Sequence, residues 1–538
     1  MNRHYDLVVI GSGPGGYVAA IQAAKLGMKT AIIENREIGG TCLNRGCIPT
    51  KTLMHSAQMY REAKNFKEAG IYFEGLSYDL ERIQERKDNV VDKMRQGIIS
   101  LLKANGVDIL YGTGKIIARG KVLLQKDTLK MEEENRKKEQ KEQKQLKERN
   151  LDQEKAQIPK DEHGQILKED KERILNVEKE QKLERENEQK PEEEKEQKLE
   201  EVIETDKILI ATGSSPIIPP IQGFHSPKVV TSDELLSNSL EFQKLLIIGG
   251  GVIGIEFASL YADLGCEVEI IEAMERVLPQ MDREISQSVT MSLKKRGVSI
   301  RTQAKVTRIE PREGSGLACE YEEKGGLKET KADLILMAVG RKANTQDLIA
   351  KDLTLEYDGP FLKVDDNFET NLPGIYAIGD VVRGKQLAHL ASAQGIVAVE
   401  KMCGKDSKID LSLIPSCIYT SPEVAVVGLT EDEAKALGKN VKVGKYPMLG
   451  NGKTLLSMGE RGFIKVICDA QTDKIIGAQL LCDRATDMVS EFTTAIANQL
   501  RYQDLASVIR PHPTYNEAVT EALEDIEGMA IHLVPRRR

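Results

Sequence analysis

Two stretches of this chain carry the same glycine-spaced pattern, and each lies between a run of buried-strand residues and a helix. The first follows Leu7-Val8-Val9-Ile10 and reads Gly11-Ser12-Gly13-Pro14-Gly15-Gly16. A helix is expected from Tyr17 to Leu26, ended by Gly27, and then a strand from Lys29 to Glu34. The second follows Lys244–Ile248, reads Gly249-Gly250-Gly251-Val252-Ile253-Gly254, runs on as a helix through Ala262, and leads to a strand over Glu267–Glu272. In this pattern the first glycine allows a tight turn, the second lets the backbone approach a pyrophosphate, and the third lets helix and strand pack closely. The helix N-terminus that follows attracts phosphate. Gly11, Gly13 and Gly16, and likewise Gly249, Gly251 and Gly254, are therefore candidate cofactor-binding residues. Each second strand ends in an acid, Glu34 or Glu272, able to accept hydrogen bonds from ribose hydroxyls. One such pattern is weak evidence. Two, each in β-α-β context, point to two dinucleotide sites on an α/β chain.

Just after the first pattern comes Gly39-Gly40-Thr41-Cys42-Leu43-Asn44-Arg45-Gly46-Cys47-Ile48-Pro49-Thr50-Lys51. A dithiol/disulfide pair carries two electrons, as does a flavin or a nicotinamide. Thr50 to Tyr60 reads as a helix beginning at the second cysteine, and a helix N-terminus favours thiolate. Lys51, one helical turn beyond Cys47, reaches the same region. The other six cysteines (Cys266, Cys319, Cys403, Cys417, Cys468 and Cys482) show no metal-ligand spacing, and no metal site is expected.

At 538 residues the chain is too long for one core. Its net charge of −8 argues against nucleic-acid binding, and no apolar run is long enough for a membrane span. The first strand begins within a few residues of Met1, which leaves no room for a targeting peptide and makes a cytoplasmic enzyme the expectation. Residues 127–203 are foreign to the rest. Of residues 131–200, 41 are charged, 18 basic and 23 acidic. The run Glu178-Lys179-Glu180-Gln181-Lys182-Leu183-Glu184 recurs as Glu194-Lys195-Glu196-Gln197-Lys198-Leu199-Glu200. No heptad supports a coiled coil. Solvated helical arms, broken near Pro159–Gly164 and at Pro191, or disorder are expected there. Either a tolerated surface insertion or a partner-docking arm fits this composition. Strand-and-turn patterns resume at Asp206–Gly213 and recur at Leu334–Gly340 and Gly374–Asp380. From about Leu413 an α+β unit without a fingerprint follows, of the kind that builds a subunit interface.

A histidine suits the proton transfer that thiol–disulfide exchange needs, and a carboxylate partner raises its basicity. His512 and Glu517 stand five apart with Pro513 between them, so the two side chains are expected to meet across a bend. Tyr515 and Asn516 receive no role.

Together, Gly11–Gly16, Cys42–Cys47 with Lys51, Ala211-Thr212-Gly213, Gly249–Gly254, Gly379-Asp380 and His512-Pro513-Thr514 with Glu517 make this a chain that resembles the pyridine nucleotide–disulfide oxidoreductases. The resemblance covers nearly everything except the charged insertion. One departure is Ala343, where the family usually has proline. The resemblance implies two Rossmann-like dinucleotide-binding domains plus a C-terminal α+β dimerisation domain. An FAD-binding domain is expected over 1–126, resuming at 204–220 after the 127–203 insertion and again at 343–412. A NAD-binding domain is expected over 221–342 and an interface domain over 413–538.

The resemblance also implies that Cys42 exchanges with a substrate dithiol and that Cys47 becomes the thiolate facing the flavin. It implies that Lys51 pairs with Glu256. His512 would serve the disulfide of the other subunit of a homodimer. FAD would be held by Gly11, Gly13, Gly16, Glu34, Thr41, Lys51, Ala211, Thr212, Gly213 and Asp380. NAD would be held by Gly249, Gly251, Gly254, Glu272 and Gly340. Glu272 would repel a 2′-phosphate, and Arg276 is isolated, so NAD is favoured over NADP. The activity implied is oxidation of dihydrolipoyl groups on a partner protein with reduction of NAD⁺. Because the first Rossmann strand starts at once, the lipoyl group is expected on a separate protein. Such partners belong to 2-oxo-acid dehydrogenase, acetoin dehydrogenase or glycine cleavage systems.

Overall fold

The computed structural model describes residues 4–127, 198–237, 241–312 and 316–534. The helical or disordered arms expected within 127–203 fall almost wholly outside these residues.

The first sheet has its parallel strands in the order Asp108–Tyr111, Thr30–Glu34, His4–Ile10, Lys198–Ile210. An antiparallel hairpin, Thr113–Ala118 and Lys121–Asp127, continues the same sheet, and Ile375–Ala377 pairs with the end of Lys198–Ile210. Val8, Val9, Ile208, Leu209 and Ile210 are buried on both faces, the expected state of parallel strands covered by helices. The Lys198–Ile210 strand serves two neighbours. Its first half runs antiparallel to Lys121–Asp127, and its second half runs parallel to His4–Ile10.

That strand also moves a boundary read from the sequence. Residues 198–203, placed at the end of the charged insertion, are sheet. The repeat Lys198-Leu199-Glu200 looks helical in isolation, but cross-strand contacts override its propensity. Ile203 is fully buried, Gln125 Nε2 donates to Glu200 at 2.8 Å, and Lys126 pairs with Glu201 at 2.9 Å.

The second Rossmann unit is a five-stranded parallel sheet in the order Ser299–Arg301, Glu267–Ile271, Lys244–Ile248, Leu334–Met337, Val229–Thr231. A three-stranded antiparallel sheet, Ala304–Pro311, Leu317–Glu323 and Gly326–Ala332, covers one side of it. The third unit is an antiparallel sheet in the order Ser416–Ile418, Glu423–Gly428, Ile475–Cys482, Phe463–Asp469, Val441–Pro447. The helices Ala485–Ala497 and Glu517–Glu524 pack on it through Met488, Phe492, Val519 and Leu523.

Buried ion pairs set how the units meet. Arg296, just past the end of the helix Arg283–Lys295, reaches Asp263 at 3.3 Å and Glu460 at 3.0 Å. Arg61 donates to Ser421 Oγ at 2.7 Å, and Lys465 pairs with Asp282 at 2.9 Å. Desolvation offsets much of the attraction in such pairs, so they fix orientation more than they add stability.

Candidate active site

The two glycine turns open onto one cavity of about 2160 Å³. Pockets for drug-sized ligands hold roughly 300–1,000 Å³, so this space accommodates two dinucleotides. Gly11, Gly13, Glu34, Ala211, Thr212, Gly213 and Asp380 line one arm, and Gly249, Gly251, Glu272 and Gly340 line the other. Thr41, Cys42, Cys47 and Lys51 also line it.

Gly16 and Gly254, counted from the sequence among the cofactor-binding residues, do not line the cavity. They stand behind the turns, where an added Cβ would lie 1.9 Å from the Gly11 carbonyl oxygen and 2.0 Å from that of Gly249. They shape the cradles without facing them.

The two cradles are built alike. Glu34 Oε2 accepts from the Ser12 amide at 2.9 Å, and its Oε1 from the Arg36 amide at 2.8 Å. Glu272 Oε2 accepts from the Gly250 amide at 2.6 Å, and its Oε1 from the Met274 amide at 2.7 Å. Each acid thus staples the end of its strand to its glycine turn and keeps a carboxylate edge in the cavity wall. No atom comes within 4 Å of a Cβ built on Gly13 or on Gly251, so both turns present open backbone to the cavity. These features fit two dinucleotides. Arg276 is turned away from phosphate duty, since its Nη2 donates to the carbonyls of Pro279 and Met281 at 3.0 and 3.1 Å. Asp380 accepts from Ser214 Oγ, and Thr212 Oγ1 donates to the Asn344 carbonyl at 2.7 Å. Ala343 sits in a short antiparallel ribbon opposite Ser214, a place it fills without the family's proline.

Cys42 and Cys47 form a disulfide with Cα atoms 4.7 Å apart. Cys42 lies on the helix Gly40–Arg45, and Cys47 is the first residue of the helix Cys47–Ala63. Gly40 makes the approach possible. Its φ is +62°, and a Cβ there would lie 2.5 Å from Gly13 Cα. The thiol-bearing segment is thereby pressed against the first fingerprint.

Lys51 Nζ pairs with Glu256 Oε2 at 2.8 Å, as expected, and stands 4.7 Å from the centre of the Tyr419 ring. Glu256 Oε1 also accepts from the Tyr419 amide at 3.1 Å. One carboxylate therefore joins three units at the cavity. Of the six free cysteines only Cys417 lines the cavity, and burial pushes its thiol up to about 11, so it stays protonated near neutral pH.

His512 and Glu517 meet across the bend, with Nδ1 2.7 Å from Glu517 Oε1. A carboxylate partner assigns the proton to Nδ1 and leaves Nε2 free to accept. Burial pushes Glu517 up, but the Thr514 amide and His512 outweigh it and hold the carboxyl below its usual range. The pair lies outside the cavity wall, and the imidazole is 78% exposed. The structure thus brings the expected redox and nucleotide residues together in one cavity wall, apart from Gly16 and Gly254 behind the turns and the dyad, which stands on another face of the same chain.

Sequence reasoning missed Tyr419, Asn344, Ser12 and Arg341. Arg341 donates to Ser214 Oγ at 2.8 Å and to its carbonyl at 2.6 Å. Tyr419 and Arg341 act across domain boundaries, Asn344 bonds Thr212 from 132 positions away, and Ser12, though inside the fingerprint, acts through its bond to Glu34.

Two dinucleotide cradles meeting at a disulfide, with an α+β unit that carries a histidine–glutamate pair, define a two-cofactor disulfide oxidoreductase. The chain belongs to the pyridine nucleotide-disulphide oxidoreductase family. The family model matches residues 5–135 and 119–395, and its dimerisation domain matches residues 414–523. Dihydrolipoyl dehydrogenase of Bacillus subtilis is 36% identical over 99% of this chain and 100% of its own. The mitochondrial dihydrolipoyl dehydrogenase of Pisum sativum is 33% identical over 98% of this chain and 92% of its own. Leghemoglobin reductase of Glycine max is 34% identical over 96% and 86%. Among solved structures, the Cu(II) complex of the HOCl-induced flavoprotein disulfide reductase RclA of Escherichia coli has a TM-score of 0.75. It is 27% identical and covers 97% of this chain and 99% of its own. The protein is accordingly an FAD- and NAD-dependent oxidoreductase that forms a homodimer. Among the described residues no helix is long and apolar enough to cross a membrane.

Proposed function

We propose that the protein oxidises dihydrolipoyl groups on a partner protein to the lipoyl disulfide and delivers the electrons to NAD⁺. The observation that carries this reading is the Cys42–Cys47 disulfide in the wall shared by both cradles. The names of its full-length relatives support the substrate. FAD, when bound, supplies a two-electron relay between the thiols and NAD⁺.

The chain's own residues do the rest. His512 of one subunit takes a proton from the substrate dithiol at Nε2, and Glu517 holds the imidazole by Nδ1. The resulting thiolate attacks Cys42, and Cys47 leaves as thiolate, favoured by its place at a helix N-terminus. Lys51 sets a positive charge in the same wall, held by Glu256. In this reading Glu34 would hold the FAD ribose, Asp380 the centre of FAD, and Glu272 the ribose of NAD. Dimerisation supplies the His512 that the cavity of a single chain lacks.

Partner proteins would be the lipoyl-bearing components of 2-oxo-acid dehydrogenase, acetoin dehydrogenase or glycine cleavage systems. Six free thiols suit a reducing, cytoplasmic setting. Anaerobic titration of the purified protein with dihydrolipoamide, then NAD⁺, tests the reading. A long-wavelength thiolate-to-flavin band followed by NADH is the expected result. A flavoprotein that ignores dihydrolipoamide but turns over with glutathione overturns the substrate. Deleting 128–197 tests the docking arm: turnover with free dihydrolipoamide stays unchanged, and a loss confined to complex-bound lipoyl domains identifies docking.

A further inference from the structure

The segment that carries His512 is held by contacts that the dyad does not explain. Its imidazole is 78% exposed, so surrounding packing does not aim it. The direction of the ring depends on the backbone of residues 510–516. That backbone is tied at both ends to one carboxylate. Glu491, on the helix Ala485–Ala497, accepts from Arg510 Nη2 through Oε1 at 2.5 Å and from Asn516 Nδ2 through Oε2 at 3.1 Å.

Arg510 is itself fixed. Its side chain is 5% exposed, and its Nη1 donates to Thr520 Oγ1 at 2.8 Å and to the Val508 carbonyl at 3.1 Å. In the middle of the segment, the buried Asn451 donates through Nδ2 to the Thr514 carbonyl at 3.0 Å. The span from Arg510 to Asn516 is thus a loop closed by a single side chain, with His512 at its crest.

We propose that Glu491 is a positioning residue for the base. Its two oxygens hold the two ends of the His512 loop at a fixed separation, with Arg510 and Asn516 as the matching anchors. This rests on the reading that His512 takes the proton from the dithiol. Glu491 acts on the two ends of the loop, whereas Glu517 holds the ring at Nδ1 and the middle of the loop at the Thr514 amide, 2.8 Å from its Oε2. Glu517 sets the tautomer of the imidazole, and Glu491 sets where the loop ends stand. Displacing a reacting group by about an ångström costs on the order of 10²-fold in rate. Freeing both loop ends permits motion of that size.

The test uses the flavin-loaded dimer and two reactions. Dihydrolipoamide oxidation needs His512. NADH-driven reduction of ferricyanide draws electrons from the flavin without the thiol base. Glu491→Ala is expected to lower dihydrolipoamide turnover by about 10- to 100-fold, while the ferricyanide rate stays within about twofold. The acid limb of its pH profile keeps its position, because the His512–Glu517 contact remains, whereas Glu517→Gln moves that limb. Asn516→Ala alone gives a smaller loss, and in the Glu491→Ala background it adds little, because the two substitutions cut one link.

If Glu491→Ala does not fold, the near-isosteric Glu491→Gln serves. It loses the charge-assisted bond to Arg510 and is expected to lower dihydrolipoamide turnover several-fold with ferricyanide reduction intact. Wild-type turnover in either folded variant overturns the inference, as does equal loss of both reactions. A parent enzyme with ferricyanide activity and no dihydrolipoamide turnover instead overturns the functional reading, and the inference falls with it.

Discussion

Gly16→Ala is the substitution on which the assignment of the first cradle can be tested hardest. The new Cβ would lie 1.9 Å from the Gly11 carbonyl oxygen, where real Cβ atoms keep at least 3.0 Å. Both parties are backbone, so the turn or the helix Pro14–Lys25 must yield by about an ångström. Overpacking of this kind costs roughly 1–3 kcal/mol. Most of that falls on the turn that would hold the pyrophosphate. At 1.4 kcal/mol per tenfold, flavin affinity drops by roughly 5- to 150-fold.

Gly254→Ala repeats the clash in the second cradle, at 2.0 Å from the Gly249 carbonyl. The same cost there falls on NAD, with flavin retained. Gly13→Ala is the control for folding. Nothing lies within 4 Å of its Cβ, so the chain folds normally, but the methyl enters the space open to the cofactor. Flavin absorbance per chain after gel filtration reads the first site, and quenching of bound flavin by NAD⁺ reads the second. Full flavin content in Gly16→Ala, or flavin loss in Gly254→Ala with NAD⁺ binding intact, refutes the assignment.

Cys42→Ser and Cys47→Ser should each abolish dihydrolipoamide oxidation while NADH still reduces ferricyanide; loss of both reactions would separate the disulfide from the chemistry proposed. Glu256→Ala strands the Lys51 ammonium and the Tyr419 amide. Breaking a buried pair costs about 3–5 kcal/mol, and Lys51's access to water brings the expected loss to about 2 kcal/mol, read as a lower urea midpoint; a change below half a kcal/mol contradicts it. Glu517 titrates below its usual range in the fold, so its contribution is present above the unfolded carboxyl value near 4.3 and is lost as pH falls through the folded value. Glu517→Gln should therefore differ from the parent in thermal midpoint at pH 6 and converge with it in strong acid. His532 is raised by its bond to Glu521, so its contribution is full below about pH 6.5 and fades as pH rises through the folded value. A His532→Gln difference that is the same at pH 5.5 and pH 9 would exclude that pairing in solution.

The parts legible in the sequence are those set by local spacing. Both fingerprints, the two-cysteine run and the strand–turn–helix–strand succession at the start of each Rossmann unit follow from glycine position and apolar period. The strand read at Lys244–Ile248 is the strand observed, because five consecutive apolar or stem-burying residues between Gln243 and Gly249 leave little choice. The Lys51–Glu256 pair was legible only through the family resemblance, since 205 positions separate the partners. The far side of Glu256, the Tyr419 amide, was not legible at all. The start of the Lys198–Ile210 strand was misplaced because its charged residues favour helix locally and are recruited by Lys126 and Gln125 across the hairpin. Asn516 carried no signal, because its meaning lies in Glu491, which stands 25 residues earlier on another helix.

The double pairing of Lys198–Ile210 bears on the order in which the nascent chain can be completed. On the ribosome, His4–Ile10 and the hairpin through Asp127 emerge first, and both await the same neighbour. The 70 residues 128–197 must be synthesised before that neighbour appears. At about 5–20 residues per second this is a wait of roughly 4–14 s. Through that interval the growing sheet presents two unpaired strand edges, the state most open to wrong partners. The insertion therefore acts in time as well as in space: it sets how long the half-built flavin domain must remain unjoined.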